Sequence, residues 1–213
     1  SRIDREFYQP AAPPYLVAGG PDFESEIADV AEVGWRAQHG PTLSYSLSLY
    51  QHRWRRLRSL ELTPDGIQFR NGYDGRTQGG EAWLRWLPHS RLRIDAGGGW
   101  LSQKLTLRPG AADIGGPAAH GNDPSHWWQV RSTWDIGATT ALTLAVRHVG
   151  ALPDPAVPDY TALDARVVWF ARPGLELAVA VSHLGDPRHP EWGTAANRVE
   201  LQRAVQFQLR WQP

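Results

Sequence analysis

From Val199 to Trp211 the side chains alternate between apolar and polar. The odd positions read Val199, Leu201, Arg203, Val205, Phe207, Leu209 and Trp211; the even ones read Glu200, Gln202, Ala204, Gln206, Gln208 and Arg210. Successive side chains of a strand point to opposite faces, so this segment is a strand with one polar face and one face apolar except at Arg203. Its length matches the roughly ten tilted residues that carry a strand across a bilayer. A half-buried strand of a soluble sandwich gives the same alternation, and this segment alone does not separate the two.

The pattern recurs. Leu43, Tyr45, Leu47 and Leu49 oppose Ser44, Ser46, Ser48 and Tyr50; Leu142, Leu144 and Val146 oppose Thr143, Ala145 and Arg147; Leu175, Leu177, Val179 and Val181 oppose Glu176, Ala178, Ala180 and Ser182. Leu92, Ile94 and Ala96 likewise oppose Arg93, Asp95 and Gly97, and helical spacing is absent at comparable length. Strands are expected near 26–37, 41–55, 66–86, 91–107, 126–135, 139–150, 159–171, 174–184 and 198–211. The fold class is therefore all-β, an antiparallel up-and-down meander of about nine strands.

The links between these strands alternate in length. Residues 38–40, 88–90, 136–138 and 172–173 are short turns, whereas 109–125, 151–158 and 185–197 are long. Short turns on one side and long loops on the other are the asymmetry of outer-membrane barrels. It makes the final strand descend to a periplasmic end. In each strand that should descend, a Trp lies near the lower end: Trp35, Trp86, Trp134, Trp169 and Trp211. Together they form one level of an expected aromatic girdle. Mean hydropathy is −0.45, which is compatible with alternating membrane strands, whose average is low.

Several motifs then resemble, in order, those of TonB-dependent outer-membrane receptors. Residues 16–26 resemble the family's loop of the form GNP-x-L-x-PE, with Asn and Pro replaced, and Glu32-Val33-Gly34-Trp35-Arg36 resembles the strand that follows it. Ser44 to Leu60 resembles the next strand, with its aromatic, basic upper end. Asn71-Gly72 with Gly79-Gly80-Glu81 resembles N-x-G…G-x-E, Tyr160 to Arg166 resembles Y-x-x-L-D-x-R, and residues 181–187 resemble V-x-N-L-x-D with His183 in place of Asn. The resemblance covers nearly the whole chain. It implies that residues 1–213 are the C-terminal portion of a 22-stranded transmembrane β-barrel, an open curved sheet if isolated, with the N-terminal plug and first strands absent. A start at Ser1 without any Met agrees with a fragment. Implied partners are outer-membrane lipid and lipopolysaccharide, the barrel-assembly machinery reading the terminal aromatic signal of Phe207 and Trp211, TonB through the missing plug, and a small-molecule cargo. The implied function is energy-coupled uptake of a scarce nutrient such as a ferric siderophore, a cobalamin or an oligosaccharide. The loops near 9–25, 108–125, 151–158 and 185–197 are then the candidate cargo contacts.

Other chemistries find little anchorage. Lys+Arg and Asp+Glu both number 22, so the cationic excess of a nucleic-acid binder is missing. With no Cys, thiolate metal sites and disulfides are excluded. His120, His126, His183 and His189 lack the spacing of a metal motif, and Ser, His and Asp occur without a G-x-S-x-G elbow. No enzyme and no cofactor are expected. Gly97-Gly98-Gly99 lies in a strand pattern and implies a flexible or closely packed strand rather than a phosphate loop. The run Arg53-Trp54-Arg55-Arg56-Leu57-Arg58 is expected to face lipopolysaccharide phosphates or an anionic cargo, and Arg36, Arg85, Arg147, Arg166 and Arg210 a wet barrel interior. Two alternatives stand beside the receptor: a soluble lectin-like β-sandwich, whose apolar strand faces pack on each other, and an inactive, aggregation-prone barrel fragment.

Overall fold

A computed structural model describes residues 3–186 and 188–212. Pro187, the last residue of one motif, and Pro213, which trails the terminal aromatic, lie outside the described residues. The chain begins with α1 (Ile3–Glu6), β1 (Tyr8–Gln9) and β2 (Tyr15–Ala18). Then come β3 (Ile27–His39), β4 (Leu43–Thr63), β5 (Gly66–His89) and β6 (Leu92–Leu107). After α2 (Gly116–His120) follow β7 (His126–Ile136), β8 (Thr140–Val149), β9 (Leu152–Pro153), β10 (Ala156–Val157), β11 (Tyr160–Arg172) and β12 (Leu175–Ser182). The last elements are β13 (Arg188–Pro190), β14 (Glu200–Gln202) and β15 (Ala204–Trp211).

The nine expected strands are β3 to β8, β11, β12 and β15, hydrogen-bonded in that order. The sheet does not close, since β3 pairs only with β4 and β15 only with β12 among the described residues. Three of the short turns hold a glycine at positive φ: Gly40 at 58°, Gly137 at 76° and Gly174 at 78°. An L side chain is strained there, and glycine is not.

Four details depart from the expected meander. The sheet is mixed, because β2 adds to β5 in parallel, Tyr15 opposite Gly66 and Ala18 opposite Gln68. Strand β4 continues to Thr63 instead of ending near 55. It passes through Arg56 at φ 60°, where the Asp74 carboxylate accepts the Arg56 N–H at 3.0 Å and holds the irregularity in place. The last strand is interrupted at Arg203, whose guanidinium donates to the carbonyls of His183 at 3.2 Å and Leu184 at 2.8 Å. That leaves β14 to pair with β13 inside the preceding loop while β15 pairs with β12. The long link at 151–158 holds a two-stranded ribbon of its own, β9 with β10.

The chain divides into two compact units. The first comprises residues 1–32, 50–79 and 101–123; the second comprises 33–49, 80–100 and 124–213. In the second, register places apolar residues in cross-strand rows. One row reads Leu92, Trp134, Leu142, Val167, Val179, Phe207 from β6 to β15. Directly opposed residues share a face, and Trp134, Val167, Val179 and Phe207 on it are all exposed. The buried apolar residues among those described are few: Ala18, Phe23, Tyr73, Val157, Ala162, Val168 and Ala178. A sandwich would hide Leu47, Leu49, Val205 and Leu209 between two sheets; here they stand exposed on a single layer. Among the described residues no helix is long and apolar enough to cross a membrane.

Candidate functional site

The opposite face of the second unit is polar, because the residues alternating with the apolar rows are the charged ones. Arg93, Thr133, Thr143 and Arg166 form one row, and Asp95, Arg131, Ala145 and Asp164 the next. Arg85 donates to Asp95 at 2.7 Å and Arg93 approaches the same carboxylate at 3.0 Å. Arg166 bridges Glu176 at 3.2 Å and Gln208 at 3.3 Å. A cleft of about 610 Å³ on this face is lined by Arg36, Arg85, Arg93, Arg131 and Arg147 against Asp95 and Asp164. Its cationic balance contrasts with the neutral chain. Of the expected interior arginines, Arg36, Arg85 and Arg147 meet here, and Arg166 and Arg210 lie in neighbouring rows.

Two tryptophans also sit on this face. A Cβ at Gly97 would collide with the Trp83 ring, and one at Gly99 would lie 3.0 Å from the Trp127 indole nitrogen. The glycines leave room for the pair, whose ring centroids are 5.4 Å apart. Of the two readings its place in a strand left open, flexible or closely packed, the glycine run serves close packing.

The loop between β12 and β15 folds onto the ends of β8 and β11. His189 is buried, stacked on Tyr160 at 4.2 Å and 17°, with Asp186 and Glu191 each 3.3 Å from one ring nitrogen. Glu191 accepts from Arg147 at 2.7 Å, and Asp164 accepts the His183 N–H at 3.0 Å. Burial raises the Glu191 pKa, but bonds from Tyr160, His189 and Arg147 outweigh it and hold this carboxyl below its usual range. His183 and His189 thus staple a loop.

In the first unit the node is Asp113, whose side chain is 1% exposed. Its carboxylate accepts the N–H groups of Leu60 at 2.6 Å, Gly115 at 2.9 Å and Gly116 at 2.8 Å, and His120 lies 3.3 Å away. Burial pushes this carboxyl up; the donors more than offset it, and the net pKa is lowered. Tyr73, almost fully buried, meets His120 edge-on at 4.9 Å, and its hydroxyl completes no hydrogen bond of normal geometry. Asn71 ties the entering segment to β4, accepting from Glu24 N–H at 2.7 Å and donating to the Arg56 carbonyl at 2.6 Å.

The basic run has acidic partners within the chain that the sequence did not announce. Arg55 pairs with Asp29 at 3.0 Å, Arg56 with Glu24 at 2.8 Å and Arg58 with Asp4 at 3.3 Å. Acidic residues far away in sequence thus pair with three of its four arginines. A cleft of about 730 Å³ in this unit is lined by Asp4, Phe23, Glu26, Trp54, Arg58, Tyr73, Thr77, His120 and Asp123. Trp54 is fixed there by its indole N–H bond to Thr77 at 3.0 Å. Mixed charge with aromatic walls suits a polar, partly aromatic small molecule. Sequence reading missed Asp113, Tyr73 and Trp127; a lone Asp in a loop carries no local signal.

The aromatic residues singled out from sequence are all exposed: Trp35 67%, Trp86 44%, Trp134 52%, Trp169 50%, Phe207 77% and Trp211 66%. Trp169 pairs with Leu177 and Thr140, and Trp211 with Leu175, all beside the short turns. Among the described residues no group of three or more His, Cys, Asp or Glu is arranged to hold a metal ion.

This single-layer meander, apolar on one face and charged on the other, has the fold of outer-membrane β-barrel receptors. Among solved structures, the siderophore receptor PiuA of Acinetobacter baumannii matches with TM-score 0.71 and 17% identity, over 86% of this chain and 28% of its own. The ferric-catecholate import receptor Fiu of E. coli K12 matches at 0.71 and 16%, over 89% and 28%. The FrpB iron transporter of Neisseria meningitidis matches at 0.74 and 12%, over 89% and 32%. The chain spans under a third of the length of these receptors. The motif resemblance to TonB-dependent receptors is thus matched by a resemblance in fold. No protein-family model matches the sequence, and neither does any curated protein.

Proposed function

We propose that residues 1–213 are the C-terminal part of the barrel of a TonB-dependent outer-membrane receptor, and that the whole receptor takes up a scarce nutrient against a gradient. The observation that carries this reading is the exposed apolar row from Leu92 to Phe207 backed by the arginine-rich face. In water such a row is a liability; against lipid it is the outward band of a barrel. Trp35, Trp86, Trp134, Trp169 and Trp211 are the periplasmic aromatic girdle in this reading, and Phe207 with Trp211 is the signal for the barrel-assembly machinery. TonB engages a plug domain elsewhere in the parent protein, and lipopolysaccharide surrounds the outer rim.

A ferric siderophore is the favoured cargo over a cobalamin or an oligosaccharide, because the matching structures are siderophore and iron receptors. The cleft around Trp54, Tyr73, Arg58 and His120 is its candidate contact. Fractionation of the full gene product in a Gram-negative host tests the reading. Recovery in the outer membrane, resistant to alkaline extraction and shifted in mobility by heating, is expected; a soluble monomer without detergent overturns it.

A further inference from the structure

His126 at the start of β7 and His148 on β8 lie on the apolar outer face of the second unit, beyond the sites above. Trp128 pairs directly with His148, which leaves His126 its diagonal neighbour. Their Nε2 atoms face each other at 3.2 Å, and the rings are 5.3 Å apart at 26°. Each outer nitrogen is engaged by a hydroxyl: Ser125 Oγ at 3.1 Å from His126 Nδ1, and Thr161 Oγ1 at 2.9 Å from His148 Nδ1. Trp128 stacks on His148 at 5.7 Å and 19°.

In the tautomer in which both Nδ1 atoms donate to the hydroxyls, the two Nε2 lone pairs face each other across a gap that a bound cation bridges. Two metal–nitrogen bonds of about 2.0–2.1 Å meeting near the tetrahedral angle separate the nitrogens by about 3.3 Å. The observed gap has that span. We propose that His126 and His148 form a two-imidazole site for a divalent first-row transition ion, completed by water and binding Cu²⁺ most tightly. Ser125 and Thr161 act as the hydrogen-bonded second layer that orients the ligands. The ion cross-links β7 to β8 at the outer surface and is distinct from any cargo.

The test is Cu²⁺ titration of the full chain folded in detergent, followed by calorimetry, electron paramagnetic resonance and tryptophan fluorescence. One ion per chain is expected, with nitrogen hyperfine structure from two imidazoles and quenching of one Trp component. His126→Gln with His148→Gln abolishes that binding, Thr161→Val weakens it about tenfold or more, and Trp128→Phe removes the quenched component while calorimetric binding persists. His39→Gln and His89→Gln leave all three signals unchanged. Absence of binding at millimolar Cu²⁺, or binding untouched by the His126/His148 pair of substitutions, overturns the proposal. Should the double variant not fold, an unchanged affinity in Thr161→Val together with a one-nitrogen spectrum overturns it equally.

Discussion

Asp113 shows how much one loop residue can hold. Three backbone N–H groups end on its buried carboxylate, and truncation leaves them without a partner. Asp113→Ala is expected to cost on the order of 3 kcal/mol locally and to open residues 109–121 to protease, which limited proteolysis in detergent reads directly. The pH dependence follows from the lowered pKa. Because the folded value lies below the unfolded one, the stabilisation is complete above about pH 4 and disappears as pH falls through the folded value. Proteolysis of the wild type should therefore rise only in strong acid, and Asp113→Asn should be sensitive already at neutral pH. Gly97 is a second single-residue test, since any side chain there meets the Trp83 ring. Gly97→Val should destabilise by about 1–3 kcal/mol through overpacking, and Trp83→Ala should relieve most of that loss in a double-mutant cycle. Additive effects would mean that the glycine serves some other end.

At the scale of one element, β15 carries the distinction between the two faces. Phe207 is 77% exposed in the apolar row, while Gln206 next to it belongs to the row of Arg93, Thr143 and Arg166. A lysine facing lipid costs about 2–4 kcal/mol at the bilayer midplane and far less in a lumen. Phe207→Lys should accordingly impair folding into lipid vesicles, whereas Gln206→Lys should be tolerated. Equal effects would mean that the two faces see the same medium. The alternation that foretold β15 was readable because one strand has only two faces. The break at Arg203 was not, since it depends on the carbonyls of His183 and Leu184, some twenty positions back.

For the whole molecule, the open sheet is the controlling property. Strands β3 and β15 each have one hydrogen-bonded neighbour among the described residues, and unpaired edges recruit other chains. The 213-residue chain in detergent is expected to self-associate, seen as oligomers by size-exclusion chromatography with light scattering. A stable monomer at micromolar concentration would mean that the edges find cover within one chain. The arginine-rich cleft belongs to the second unit of the chain and the aromatic cleft to the first.

The strand series, its alternation and the short turns were legible in the sequence because period two and turn glycines are local properties, dictated by the pleat and by φ. The same locality made the interior arginines readable: Arg36, Arg85 and Arg147 fall on the polar phase of their strands. Long-range pairing was beyond it. That Arg55, Arg56 and Arg58 pair with Asp29, Glu24 and Asp4, that Asp113 reaches the distant Leu60 N–H, and that His126 meets His148 are outcomes of the tertiary fold. Periodicity tells which face a side chain takes, and only the folded sheet tells which neighbour it finds there. The apolar alternation of β15 thus announced a two-faced sheet by itself; the tertiary structure decided that the apolar face stays exposed, because among the described residues nothing packs over it.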